Sequence, residues 1–283
     1  MNFDDQKWDT VIEPKQKWFS LNIKQIMEYK DLIFLFVKRD MAITYKQTIL
    51  GPLWYIMEPA CTSIMCLIVF RNIAGLSTEG VPPILFYFAG MVLWTLFSKL
   101  LLSESKVFSD NQYIFGKVYF PRLTVPIAVF FGELNRLIIQ FLLFALLYFV
   151  CIMKGYPGAI SLKMLLIPAI FVWVSIQACG LGLIISGVTT KYRDLAKALT
   201  YLLSLSMYLS PVAYPLSEVS VGMRVFYELN PLTAALECFR KLCFGNGDIS
   251  PGAIAYSVVC SFVFLLAGVL VFHKNEKSFV DVI

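Results

Sequence analysis

Histidine occurs once in this 283-residue chain, and Asp, Glu, Lys and Arg together make up only 15% of it. Soluble chains carry about 25% charged residues, so there are too few ionic groups to cover a water-exposed surface of this size, and composition argues against a cytosolic globular enzyme. Metal chemistry is poorly provided for as well. The seven cysteines form no CxxC pair or Cys/His cluster, and His273 stands at the edge of an apolar run, so no metal site is expected. Cys61, Cys66, Cys179 and Cys260 lie in apolar runs as small hydrophobes, while Cys238 and Cys243 share a stretch where a disulfide is conceivable. A membrane glycosyl- or acyltransferase would need a cluster of bases or carboxylates at the interface, and the scattered acids do not supply one. A phosphate-binding GxxxxGK[ST] loop is absent from the sequence too.

Apolar residues are abundant instead: 58% of the chain, with a mean hydropathy of +0.72. Six stretches, 52–70, 82–102, 126–153, 164–188, 198–215 and 251–272, approach the roughly 20 residues that a spanning helix needs. Continuous runs of this kind satisfy their backbone in lipid only as helices, and the alternating pattern of a membrane barrel is absent. The expected fold is therefore an all-α membrane protein of six transmembrane helices. No short apolar leader precedes the first run, which places the amino terminus in the cytoplasm; six crossings return the carboxyl terminus there. With that orientation sixteen Lys and Arg fall inside, six outside and two within spans, in keeping with the positive-inside rule. The net charge of +5 thus needs no nucleic acid to explain it.

Several segments carry more than span layout. Between 21 and 40, Ile23, Ile26, Met27, Phe34 and Val37 recur at helical steps among Lys24, Glu28, Lys30 and Lys38. The pattern predicts a helix in the headgroup plane, either a simple anchor for the first span or a surface for anionic headgroups. The inner connection 103–125 is dense in rings: Phe108, Tyr113, Phe115, Tyr119 and Phe120. A short helix around 105–115, ended by Gly116, would present them either to a protein partner or to the bundle's own inner end. In the fifth run Tyr201, Ser204, Tyr208 and Pro211 share one helical face that Tyr214 continues. They can line a pore or pack between helices. Trp54, Tyr55, Tyr87 and Trp94 read as interfacial belt residues, some of which can border a channel. Residues 211–250 read as two half-length helices, broken around 217–222 and near Asn230-Pro231, of a kind tolerated at membrane depth where they are buried or line water. Glu133 and Arg136 are placed to pair, whereas Glu58 and Lys99 have no assigned role; an ion-coupled carrier would use such groups as a relay.

The runs Val37-Lys38-Arg39-Asp40, Tyr45 to Trp54 (YKQTILGPLW), Pro59 and Lys117 to Arg122 (KVYFPR) resemble the membrane subunit of polysaccharide-exporting ABC-2 transporters, most of all the Wzm-type O-antigen and teichoic-acid permeases. The resemblance extends from about Lys30 to the last span; residues 1–20 have no counterpart in it. It implies a cytoplasmic segment 1–50 with an interface helix, a transmembrane domain 51–275 with a coupling loop about 103–125 and an external gate segment about 211–250, and a cytoplasmic tail 276–283. It further implies a homodimer in the bacterial inner membrane, joined by two copies of an ABC ATPase that bind the ATP and Mg, with no cofactor on this chain and a lipid-linked glycan as cargo.

By the same resemblance Phe108, Asn111, Ile114, Phe115, Lys117, Tyr119, Phe120, Pro121 and Arg122 would seat in the ATPase, with Arg193 and Asp194 as further contacts or as positive-inside anchors. Lys38, Arg39, Lys46 and the Leu50-Gly51 turn would receive the lipid diphosphate. Trp54, Tyr55, Tyr87, Trp94, Tyr201, Ser204, Tyr208 and Tyr214 would border the glycan channel, and Pro211, Pro215, Phe226, Tyr227, Pro231 and Phe239 would close the outer mouth. A drug or heme permease of the same architecture is the alternative within the family.

Overall fold

The computed structural model describes residues 23–280 apart from 47, 119, 159–160, 190–191 and 193; the expectations for residues 1–20, Tyr119 and Arg193 fall outside the described residues. All regular structure among the described residues is helical. The chain opens with α1 (Ile23–Glu28) and α2 (Lys30–Tyr45). Phe36 and Val37 of α2 are buried while Phe34 and Leu35 are exposed. A helix is thus present where the interface helix was expected, and one of its faces docks on the bundle.

A 3-10 turn, Gly51–Leu53, leads into α3 (Trp54–Cys66), which a π-helical stretch extends to Ile73. Pro59 lies inside α3 and has no N–H to give the carbonyl four residues back. That carbonyl, of Tyr55, accepts instead from Gln140 Nε2 at 2.9 Å, on the long helix α7 (Thr124–Met153). Proline therefore ties the first span to the third.

Helix α4 (Pro83–Ser105) begins with proline, whose missing N–H costs nothing at a first turn. Two single turns follow, α5 (Val107–Asp110) and α6 (Gln112–Phe115), and then α7. Ser161 caps the turn that enters α8 (Ile167–Thr189). After α9 (Asp194–Ser206) come the half-length helices α10 (Val221–Leu229) and α11 (Pro231–Phe244), and finally α12 (Pro251–Val280). Asn230 caps α11 by accepting from the Leu232 N–H at 3.1 Å, with Pro231 in the first turn, and Gly245 at φ 80° ends it in the left-handed conformation that glycine supplies.

Among the described residues, five segments are long and apolar enough to cross a membrane: Gly51–Ile73, Pro83–Ser105, Thr124–Met153, Leu162–Thr189 and Pro251–Asn275. They match five of the six runs read from sequence to within a few residues, although α12 itself runs on past the last apolar run to Val280. The sixth, 198–215, differs. There an α-helix of 13 residues gives way at Met207 to turns, with bonds from Tyr208 N to Leu205 O and from Val212 N to Ser210 O. The residue before a proline is pushed out of the helical region, and Pro211 and Pro215 prevent a continuous helix over the rest of the run.

Helix α4 is the centre, with 78% of its apolar window buried against 17% for α12 and 22% for α3 and α7. Close packing around it depends on glycine. A Cβ at Gly180 of α8 would stand 2.4 Å from the Phe264 backbone of α12, and one at Gly268 of α12 would stand 2.5 Å from the Gly180 carbonyl. Small residues at these crossings let backbones approach where lipid offers no hydrophobic drive between helices.

Candidate functional site

Three places gather the residues singled out by sequence. The first is the hairpin between α4 and α7. Phe108 stacks on Phe272 of α12 with ring centroids 4.6 Å apart, Phe115 lies 5.8 Å from Phe120, and Phe120 lies 5.7 Å from Phe36 of α2. Phe108, Phe115 and Phe120 are 1%, 7% and 5% exposed. Of the two readings left open for these rings, packing against the bundle's own inner end holds for these three. The apolar demand of α2, α12 and the hairpin is met mutually, which is a long-range fact that local spacing cannot convey.

Asn111 is buried at the joint of α5 and α6, where its amide donates to Val107 O at 3.0 Å. Ile114 is half-buried, and the Arg122 guanidinium lies 5.7 Å from the Phe115 ring centroid. The outward face is Asp110, Tyr113, Gly116, Lys117 and Val118, beside half-buried Pro121. Asp194, at the start of α9, is also exposed.

The second place is a cavity of about 520 Å³ between α2, the α4–α5 junction and α7, whose lining includes Arg39, Asp40, Lys106, Asn111, Glu133 and Arg136. Arg39 Nε donates to Asp40 Oδ1 at 2.7 Å and Nη2 to Asn111 Oδ1 at 2.9 Å. The expected pair of Glu133 and Arg136 forms at 2.8 Å, Ser103 donates to Glu133 Oε1, and Arg136 lies 4.6 Å over the Tyr55 ring. Lys99 and Glu58, unassigned by sequence, are themselves an ion pair at 2.6 Å joining α4 to α3. Of the residues expected to receive a headgroup, Lys38, Lys46 and Leu50 are exposed, and Gly51 turns the chain at φ 48°.

The third place is the break between α9 and α10. Pro211 and Pro215 are buried, and Val212 is pressed so close to α4 that a Cβ at Gly90 would stand 2.5 Å from its carbonyl oxygen. Arg240 of α11, only 1% exposed, holds this segment. It donates to Val212 O at 2.9 Å and Tyr214 O at 3.3 Å, pairs with Glu237 at 2.8 Å and lies 4.2 Å over the Phe86 ring. Tyr214 donates to Tyr208 O at 2.6 Å and shares a 2.8 Å hydroxyl contact with Tyr227 of α10. Arg224 of α10 pairs with Asp248, which holds the guanidinium above its ordinary range, and Ser217 donates to Glu79.

Tyr201, Ser204, Tyr208 and Phe226 are exposed on this chain, and Tyr227 and Pro231 are half-buried. The placement of other expected residues is corrected. Tyr87, Trp94 and Phe239 are 1%, 6% and 0% exposed and belong to the main core, because α4 is surrounded and α11 packs across it. Tyr55 is buried under Arg136, and only Trp54 of the expected belt set is exposed. Cys238 and Cys243 are both free thiols; five residues apart on one helix, they point about 140° apart around its axis and cannot pair. The Glu237 and Arg240 pair escaped the sequence reading, although its spacing of three on an apolar helix is the same signal that marked Glu133 and Arg136.

The profile of the ABC-2 type transporter family matches residues 31–244 of this chain. Among curated proteins, the O-antigen export system permease protein RfbA of Klebsiella pneumoniae is 24% identical over 267 residues, covering 93% of this chain and 100% of the relative. The protein of the same name from Myxococcus xanthus is 21% identical over 261 residues, covering 92% and 98%. The polysialic acid transport protein KpsM of Escherichia coli is 24% identical over 243 residues, covering 85% and 92%.

Proposed function

The chain belongs to the ABC-2 type transporter family, and on that premise we propose that it is the membrane permease subunit of an ATP-driven exporter of a lipid-linked polysaccharide. The observation that carries this is similarity over nearly the full length of relatives named for O-antigen export and for polysialic acid transport. Nothing comparable supports a drug or heme cargo.

In this reading the protein is a multi-pass subunit of the bacterial inner membrane with both termini in the cytoplasm. Two copies join two ABC ATPase subunits, which carry ATP and Mg. The exposed side of the hairpin, Tyr113 with Lys117 and Val118, faces the ATPase together with Asp194, while the buried rings transmit its motion to α2 and α12. Packed cores move as units because their side chains have few alternative arrangements. The lipid diphosphate approaches along α2, where Lys38 and Lys46 are exposed and cations near anionic headgroups are favoured. Tyr201 and Tyr208, open on one chain, border a glycan path shared with the second copy, and a two-fold axis is the usual symmetry for such a pair. The outer mouth is closed by the Arg240-held break and α10.

Deleting the coding sequence in the host cell tests the proposal. The surface polysaccharide should disappear and lipid-linked chains should accumulate inside, with both restored by re-expression. Unaltered surface polysaccharide would exclude the function.

A further inference from the structure

The cavity between α2, the α4–α5 junction and α7 carries charged groups on each of these sides and lies beside the hairpin. Its lining holds three cations and three anions, yet they are not equivalently paired. Arg39 and Arg136 each have a carboxylate partner, while Lys106 has no carboxylate within 4 Å among the described residues. Arg136 is largely buried and pairs with Glu133, and its Nε, enclosed by protein, has no acceptor among the described residues. The guanidinium still lines the cavity, and its planar fork suits the oxygens of a phosphoryl group. Glu133, Asp110 and Asp40 add acceptors of the kind that sugar hydroxyls satisfy. Exposed Ile43 and Asp110 border the cavity, so it communicates with the exterior beside α2.

Arg39 gives the cavity a second property. Its guanidinium joins α2 to the hairpin through Asn111 Oδ1, and the same Asn111 side chain closes α5 by donating to Val107 O. We propose that this cavity binds a phosphoryl group through Arg136 and Lys106, and that the bound anion competes with Asn111 for Arg39, so that occupancy is felt by the α5–α6 hairpin. The proposal rests on the export reading above and supplies its loading signal. An anion drawn to Arg39 offers a charge-assisted bond in place of a neutral amide oxygen, and such bonds are the stronger. Losing the Arg39 contact would leave Asn111 tied only to its own turn and loosen α5 against α6.

The test uses the purified full chain in phosphatidylcholine nanodiscs. Three probes are offered: a long-chain polyprenyl diphosphate, phosphatidylglycerol and inorganic pyrophosphate. Because Arg136→Gln alone would strand Glu133, the double variant Glu133→Gln/Arg136→Gln is compared with Lys106→Gln, whose side chain is half-exposed. Each should weaken polyprenyl diphosphate binding by roughly tenfold, and pyrophosphate should compete. Loss confined to the polyprenyl lipid assigns the site to a transported carrier, and equal loss for phosphatidylglycerol assigns it to anionic headgroups in general. Unchanged affinity in both variants would overturn the site.

Amide hydrogen exchange then reads the relay. Saturating polyprenyl diphosphate should speed exchange across 107–116 in the native chain and leave it unchanged in Arg39→Gln. No change in the native chain at saturation would overturn the relay. Export is scored separately from surface polysaccharide, so intact export with unchanged binding would remove this site while leaving the function standing.

Discussion

Arg240 Nη2 donates to the backbone oxygen of Val212 at 2.9 Å, which fixes an irregular segment between α9 and α10 to the buried face of α11. Turns at membrane depth expose carbonyls that no helix satisfies, and here one guanidinium serves two of them while neutralising Glu237. The break between α9 and α10 is therefore a built structure whose parts can be removed one at a time.

Arg240→Ala should be severely destabilising. It leaves Glu237 buried without its partner and two carbonyls unserved, a loss of about 3–5 kcal/mol. Thermal unfolding in detergent would show it, and Glu237→Met/Arg240→Met should recover much of the loss while Glu237→Ala alone should not match the drop. Equal melting of Arg240→Ala and the native chain would show that the clamp is not needed.

Gly180→Leu should fail to pack, because the added side chain meets the backbone of α12 rather than a flexible group. Overpacking of this kind costs about 1–3 kcal/mol. Gly222→Ala, where nothing lies within 4 Å of a new Cβ, should be neutral in the same melt.

Phe108 and Tyr113 are five residues apart in the hairpin and should respond differently. Phe108→Ala removes a ring stacked on Phe272 and should cost about 3–5 kcal/mol of stability. Tyr113→Ala, at a ring 76% exposed, should leave melting unchanged and weaken association with the ATPase, measured by co-purification. Unaltered association would remove Tyr113 from the docking face.

Lys46→Gln should lower export of the lipid-linked glycan without changing melting or ATPase association, since its side chain is exposed at the end of α2. Undiminished surface polysaccharide would free Lys46 from any part in headgroup capture.

Much of this architecture was legible in sequence because lipid imposes a single solution on long apolar runs. Five helices lie where hydropathy put them, two of them opening on a proline, Pro83 and Pro251. Charge spacing alone located the Glu133 and Arg136 pair. Burial was less legible. Every face of a spanning helix is apolar whether it meets lipid or protein, so sequence could not tell that Tyr87 and Trp94 sit in the core while Tyr201 and Tyr208 do not. The rings of the hairpin were left between two readings for a related reason. Their partners, Phe36 and Phe272, come from opposite ends of the chain, and only the folded bundle brings them together. The cavity likewise draws on α2, α4 and α7 at once, a conjunction that no local motif announces.

The central claim is that this chain is a passive conduit driven by another polypeptide. Co-reconstituting it with its ABC ATPase in proteoliposomes, and following transfer of a fluorescent lipid-linked glycan across the bilayer, tests that directly. Transfer should require ATP and both subunits, and should stop with a hydrolysis-dead ATPase. Transfer by this chain alone, under an ion gradient and without nucleotide, would contradict the account.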